Sequence, residues 1–212
     1  MPMAMMLFED ALRPDVPLML PPRLRILYLR RGACRLDGSA LAEDGAVLCR
    51  EGATLAGEGE LWRFEIAAVP EGWRVPASSR AGLLLARRLA RDPDRPFTLR
   101  LDRVDFAPDA ETPAHGHHGE GIRRLLAGQL LMEIGPLTQR LDAGRAWFET
   151  GAEPVVARAL LPDTGFIRCM VLDGTMLGRS SFKAWTQEEA RKPRNVTYRQ
   201  YLDIVVRLAP AD

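Results

Sequence analysis

All three histidines of the chain lie in one short segment. They are His115, His117 and His118, within the run PAHGHHGEGI at residues 113–122. Residues two positions apart in a β-strand point to the same face, so a strand here would aim the imidazoles of His115 and His117 at one point. Imidazole suits zinc, iron and nickel and, together with carboxylates, manganese. The spacing therefore predicts one site for a divalent transition metal, with Zn, Fe, Mn and Ni all open.

Two histidines alone make a weak metal site, so a further donor is needed. Glu120 follows closely, with a glycine on each side. Glycine tolerates backbone conformations closed to other residues, so the strand can bulge there and turn Glu120 toward the histidine face. We predict Glu120 as the carboxylate ligand. The alternative is that Glu120 faces solvent and that His118, Glu149 or Glu153 supplies the third donor.

Short segments with alternating apolar and polar residues must position these side chains. The clearest are residues 61–67, 129–134 and 197–208, separated by clusters of glycine, proline and aspartate. Period-two alternation predicts half-buried strands, and many short strands favour an all-β sandwich or barrel. We expect the last segment to complete a sheet or to pair across a homodimer.

An internal repeat organises these strands. Residues 26–32 (ILYLRRG) are similar to residues 122–128 (IRRLLAG), an offset of 96 residues. After a variable loop, residues 61–66 (LWRFEI) match residues 166–171 (FIRCMV), with an arginine in the same register. Repeated elements in the same order indicate a duplicated β-domain. We predict a degenerate N-terminal domain at 1–80 and a C-terminal domain at 81–212.

The segment from His115 to Glu120 is followed by a strand that ends in a glycine and then by GRAWFE at residues 144–149. This order resembles the first and second conserved motifs of the cupin superfamily, and of bacterial cupin-domain proteins in particular. This resemblance implies an all-β fold with two cupin-type double-stranded β-helix (jelly-roll) barrels in one chain, a bicupin. Cupins commonly hold one divalent metal through two histidines and a glutamate of the first motif and a histidine of the second.

The chain departs from this pattern at three places. The position of the motif glutamate falls on Gly121, so Glu120 is displaced by one residue. The second-motif histidine falls near Pro154 or Val155, which cannot bind a metal through a side chain. With the offset of 96, His115 and His117 map onto Met19 and Pro21, so the first domain is expected to be scaffold, pocket wall or dimer surface.

Two further residues are candidates for a substrate pocket. Arg168 shares a strand face with Phe166 and Met170, so an inward Arg168 needs either an internal carboxylate or a substrate carboxylate as partner. Trp147 follows Gly144 on a strand and is either core filler or a platform for a ligand.

Composition excludes several classes of protein. The 212 residues carry 29 Lys+Arg and 28 Asp+Glu, and no basic block stands apart, which argues against nucleic-acid binding. No segment is apolar enough to cross a membrane, and the start has no secretory signal pattern, so we expect a cytoplasmic protein. The three widely spaced cysteines are then expected to be reduced and buried.

Two functions stay open on the sequence alone. The first is a metal-dependent enzyme that acts on a small organic molecule, with an anionic molecule favoured. The second is a non-catalytic cupin that binds a small molecule or serves as a scaffold, with a degenerate site that holds no functional metal. The cupin fold hosts both kinds of protein, so the fold does not decide between them.

Overall fold

The computed structural model describes residues 1–76 and 82–208, and these form seventeen β-strands and two three-residue 3-10 turns. The chain divides into two compact units. The first comprises Met1–Arg95 together with the described residues after Val206, and the second comprises Pro96–Val206. The domain boundary predicted between residues 80 and 81 lies outside the described residues and stays a prediction.

The first unit is built on one antiparallel sheet of seven strands. These are β1 (Met3–Leu12), β2 (Leu18–Leu20), β3 (Arg25–Leu36), β4 (Ser39–Leu41), β5 (Gly45–Cys49), β6 (Ala53–Ala68) and β7 (Leu83–Leu89). The order is β4-β3-β6-β1-β7, with β5 also paired to β3 and β2 to β6. A partly buried ion pair ties β6 to its neighbour β1, because Arg63 on β6 donates to both carboxylate oxygens of Asp10 on β1, at 2.7 and 3.0 Å.

The second unit contains ten strands in two five-stranded antiparallel sheets. The strands are β8 (Phe97–Phe106), β9 (His115–His117), β10 (Gly119–Ala127), β11 (Gln129–Ile134), β12 (Leu137–Asp142), β13 (Ala146–Glu149), β14 (Val155–Ala159), β15 (Gly165–Asp173), β16 (Phe182–Ala184) and β17 (Val196–Val206). One sheet has the order β13-β10-β15-β8-β17 and the other β12-β11-β14-β9-β16. The 3-10 turns are Gly174–Met176 and Glu189–Arg191.

One apolar cluster joins the two sheets of the second unit. Val104 and Phe166 from the first sheet pack with Leu130, Met132 and Val155 from the second. Inward side chains of both sheets thus interdigitate as in a β-sandwich. The segment 197–208, expected to complete a sheet or to pair in a dimer, contributes to β17, which pairs with β8 at the edge of the first sheet.

The strands that the sequence repeat aligns pair in the same way in the two units. In the first unit β3 lies between β5 and β6, and β6 pairs with β1; in the second, β10 lies between β13 and β15, and β15 pairs with β8. The registers also agree, since Ile26 faces Phe64 and Ile122 faces Cys169. These are the residues that the sequence repeat aligns.

The all-β fold class is confirmed. Its sheets are open ladders in the described part of the chain. None of the helical segments among residues 1–76 and 82–208 has the length and apolarity that crossing a membrane requires. Cys34, Cys49 and Cys169 are unpaired and buried on strands, as the sequence predicted.

Candidate metal and ligand site

Strand β9 carries His115 and His117 into a cavity of the second unit. Its neighbours are β14, where Val155 pairs with His115, and β16, where Phe182 pairs with His117. The two imidazole centroids are 4.9 Å apart and the rings are nearly perpendicular, at 88°. Both side chains are buried and line the same cavity. The structure therefore brings together the two side chains whose spacing suggested a shared face.

The imidazole of His115 is held in one tautomer. Its Nδ1 lies 2.8 Å from the carbonyl oxygen of Pro113. Because a carbonyl only accepts, Nδ1 carries the proton and Nε2 carries the lone pair. The ring also stacks on Phe182, at 4.8 Å between centroids and 18° between planes. The stack on Phe182 further restricts the plane of the imidazole ring.

A carboxylate that the sequence gave only as an alternative lies beside His117. Oε2 of Glu149 is 3.5 Å from Nε2 of His117 and 2.9 Å from Nη2 of Arg123. The contact with Arg123 is close, but its geometry is not that of a hydrogen bond, so Oε2 accepts no hydrogen bond from the described residues. The other oxygen, Oε1, accepts from Nε1 of Trp147 at 2.8 Å.

Glu120 lies on a different face of the sheet. Strand β10 pairs with β15 without interruption from Gly119 to Leu125, so the bulge expected at Gly119–Gly121 is wrong. Glu120 pairs with Val171, whereas Gly121 pairs with both Met170 and Glu149. Directly paired residues share a face and neighbours alternate, so Glu120 and Glu149 point to opposite faces. The ligand role of Glu120 stays a prediction that the pairing does not favour.

Arg168 has an internal partner. Its Nε and Nη2 donate to the two carboxylate oxygens of Asp102, at 2.6 and 3.0 Å, and the two residues face each other across β15 and β8. Burial disfavours the charged guanidinium, but the attraction of Asp102 outweighs this and raises the pKa of Arg168. Of the two partners considered from the sequence, the internal carboxylate is therefore the one found, and Arg168 still lines the cavity.

Trp147 belongs to the core of the second unit. Its ring meets Phe166 edge to face, with centroids 5.2 Å apart, and is buried in the apolar cluster. Its hydrogen bond to Oε1 of Glu149 orients that carboxylate. Its role as a ligand platform stays a prediction.

The electrostatics keep the histidines neutral. Burial lowers the pKa of His115, and burial together with the charges of Arg123 and Arg168 holds the pKa of His117 well below its usual value. Neutral imidazole is the form that binds a metal. Arg123 itself is fully buried, and burial lowers its pKa. Sequence reasoning missed Arg123, although the alternation of β10 places it on the face of Gly121.

The cavity between these groups is small. It encloses about 30 Å³, with apolar walls that include Phe106, Met132 and Phe166 and polar walls that include Glu149 and Arg168. One water molecule occupies ~30 Å³ in the liquid, so the cavity has room for an ion or for one water.

The donor types fit a divalent transition metal, but the donors are not preassembled. Two neutral imidazoles and the carboxylate of Glu149 make a 2-His-1-carboxylate set, and Oε2 of Glu149 accepts no hydrogen bond from the part of the chain that the structure describes. However, across residues 1–76 and 82–208 no three His, Cys, Asp or Glu side chains are close enough to hold an ion together. A metal at the histidines would have to draw Glu149 away from Arg123.

Comparisons with known proteins identify the fold. No protein-family model matches the chain. No curated protein matches it either. Among solved structures, a cupin 2 conserved barrel domain protein from Leptotrichia buccalis superposes with a TM-score of 0.50 at 11% identity, covering 80% of this chain and 84% of that one. AerE from Microcystis aeruginosa gives 0.52 at 14% identity, covering 82% and 89%.

A mutant of the salicylate 1,2-dioxygenase from Pseudoaminobacter salicylatoxidans, in complex with gentisate, superposes with a TM-score of 0.54 at 11% identity, covering 79% of this chain and 68% of that one. Identities this low show the fold alone. The chain has the cupin fold, and the resemblance noted in its sequence is confirmed at that level.

Proposed function

We propose that this chain, which has the cupin fold, is a bicupin whose second domain binds one divalent transition metal and a small organic molecule. The observation that carries the proposal is the convergence of two buried, neutral imidazoles, His115 and His117, beside the carboxylate of Glu149. The first domain contains no histidine and acts as scaffold. The repeated strand pairing supports two cupin-type barrels, with the extents 1–80 and 81–212.

His115, His117 and Glu149 would hold the metal, with Glu120 as the weaker candidate for the carboxylate. A bound metal would supply a Lewis acid that polarises an oxygen of the ligand. The protein's own groups prepare this position. Pro113 keeps Nε2 of His115 deprotonated. Trp147 holds one oxygen of Glu149, and the other accepts no hydrogen bond within residues 1–76 and 82–208.

The structural neighbours support a small organic molecule as ligand. The dioxygenase structure holds gentisate, and its fold is shared by this chain over 79% of its length. A catalytic role for the present chain is the first candidate function.

A non-catalytic binding or scaffold cupin is the second candidate, favoured by a specific contact. The guanidinium of Arg123 lies 2.9 Å from Oε2 of Glu149 and already compensates the charge that a metal would use. In this alternative the guanidinium of Arg123 provides the positive charge beside Glu149 in place of a metal. The histidines are then buried polar residues of the core, and the site is degenerate.

Metal analysis separates the two candidates. We expect protein purified without a histidine tag and dialysed against zinc, iron, manganese or nickel to retain about one ion per chain by elemental mass spectrometry. The double variant His115→Ala/His117→Ala should retain none. His118→Ala is the matched control, because His118 is adjacent but exposed. Equal metal content in the wild type and the double variant contradicts the proposal.

A further inference from the structure

A second cavity adjoins the one that contains the histidines. It is open to solvent on one side and has a volume of about 210 Å³, and the two cavities share four wall residues, Arg168, Phe182, Arg194 and Tyr198. We call it the outer cavity. We infer that the outer cavity binds a small organic acid, with its carboxylate held by Arg179 and Arg194. This inference rests on the proposed function, since it names the class of organic molecule that would meet the histidines.

The charges of the outer cavity do not cancel. Four arginines line it, and two of them have carboxylate partners. Arg100 donates twice to Asp203, at 2.9 and 3.0 Å, and Arg168 is paired with Asp102. Arg179 and Arg194 have no carboxylate partner among the described residues. The cavity therefore carries two uncompensated positive charges, which attract an anion.

The position of Arg194 links the outer cavity to the histidines. Its guanidinium carbon lies 3.8 Å from the ring centroid of Phe182, and the same ring is stacked on His115. Phe182 thus contacts both Arg194 and His115. A carboxylate on Arg194 would place the rest of the ligand along Phe182 and Tyr198, whose rings favour a flat body. The planar guanidinium offers two parallel donors, which match a carboxylate.

Volume limits the size of the acid. At ~30 Å³ for each water, 210 Å³ corresponds to about seven waters, below the ~300–1,000 Å³ of pockets for drug-sized ligands. The cavity that contains the histidines adds room for one more. We expect the ligand to be a one-ring or short-chain acid.

The test is a binding titration of the full chain with benzoate, followed by calorimetry or by NMR line shifts. We expect saturable binding of benzoate and binding at least about tenfold weaker for benzamide, the neutral analogue of the same shape. Arg179→Gln and Arg194→Gln should each weaken benzoate binding about tenfold. Arg140→Gln is the control, because Arg140 is exposed on β12 and lines neither cavity; its affinity should equal that of the wild type.

Three results overturn the inference: no saturable binding of benzoate by the wild type, equal affinity in both arginine variants and the wild type, and inorganic phosphate binding as tightly as benzoate. Metal content measured in the same samples separates this inference from the proposed function. Metal without benzoate binding overturns only the inference. Benzoate binding without metal supports the inference and overturns the metal half of the proposed function.

Discussion

Nε2 of His117 and Oε2 of Glu149 lie 3.5 Å apart although they belong to different sheets, His117 to β9 and Glu149 to β13. Glu149 pairs directly with Gly121, the residue that stands where the first cupin motif is expected to have its glutamate. Gly121 has no side chain, so the carboxylate beside His117 comes from the opposite strand. The carboxylate beside His117 thus lies on the strand that pairs with this position.

We expect Glu149→Gln to weaken metal binding by about tenfold or more, because the amide keeps the shape of the carboxylate but removes its charge. Glu120→Gln is the matched comparison, since Glu120 is equally buried but lies on the other face. Affinities from competition with a chelating dye measure both. A loss confined to Glu120→Gln would contradict the assignment of Glu149 and restore the ligand predicted from sequence.

The Arg168–Asp102 pair is expected to stabilise the second unit. Asp102→Asn leaves a buried guanidinium without its counter-charge, which costs roughly 3–5 kcal/mol of unfolding free energy. Asp105→Asn on the same strand is the control, because its partner Arg103 is about a third exposed and such pairs contribute ~0–1 kcal/mol. Urea denaturation followed by circular dichroism measures both, and equal effects would refute the prediction.

Substitution of Gly128 is expected to destabilise the protein, because its φ is positive and because a side chain there would be too close to Thr164. Its φ is +73°, and a Cβ there would lie 2.1 Å from Oγ1 of Thr164. Gly144→Ala isolates the backbone cost, since φ is +85° but the nearest atom to a Cβ is 3.9 Å away. We expect Gly144→Ala to lower the free energy of unfolding by ~1–2 kcal/mol. Gly128→Ala should lower it by about 1–3 kcal/mol more. Equal losses would show that Thr164 moves aside freely.

The cysteines should be unreactive in the native protein. Burial raises the pKa of Cys34, Cys49 and Cys169, and thiols react as thiolates. Iodoacetamide at mildly alkaline pH is expected to label none of them in buffer and all three in urea, as counted by intact mass. Rapid labelling of Cys169 in buffer would show that β15 opens locally.

Periodicity was sufficient to predict the strands, the repeat and the shared face of His115 and His117. These depend on residues near in sequence or on a repeated order of elements. The choice between Glu120 and Glu149 depends on which residue pairs with Gly121, and the partner of Arg168 depends on the register of β8 against β15. Cross-strand registers are set by the whole sheet, so the sequence left these alternatives open.

Arg179 and Arg194 could not be found from periodicity. Both lie in the irregular connections that flank β16, where no alternation assigns a face. The alternation of apolar and polar residues slips along residues 99–106. The pairing is irregular opposite this segment, in β17 between Gln200 and Leu202, which face Asp102 and Leu101. Both faces of β8 are buried there, so apolar and polar residues need not alternate.

Each half of the chain keeps an arginine at the same place in the repeat, tied to a carboxylate on the adjacent strand: Arg63 to Asp10, and Arg168 to Asp102. Only one half keeps histidines. The ion pair of the sheet thus occurs in both units, whereas the pair of histidines occurs in one. A change at Met19 or Pro21, the positions that the repeat aligns with His115 and His117, would therefore alter no imidazole of the chain.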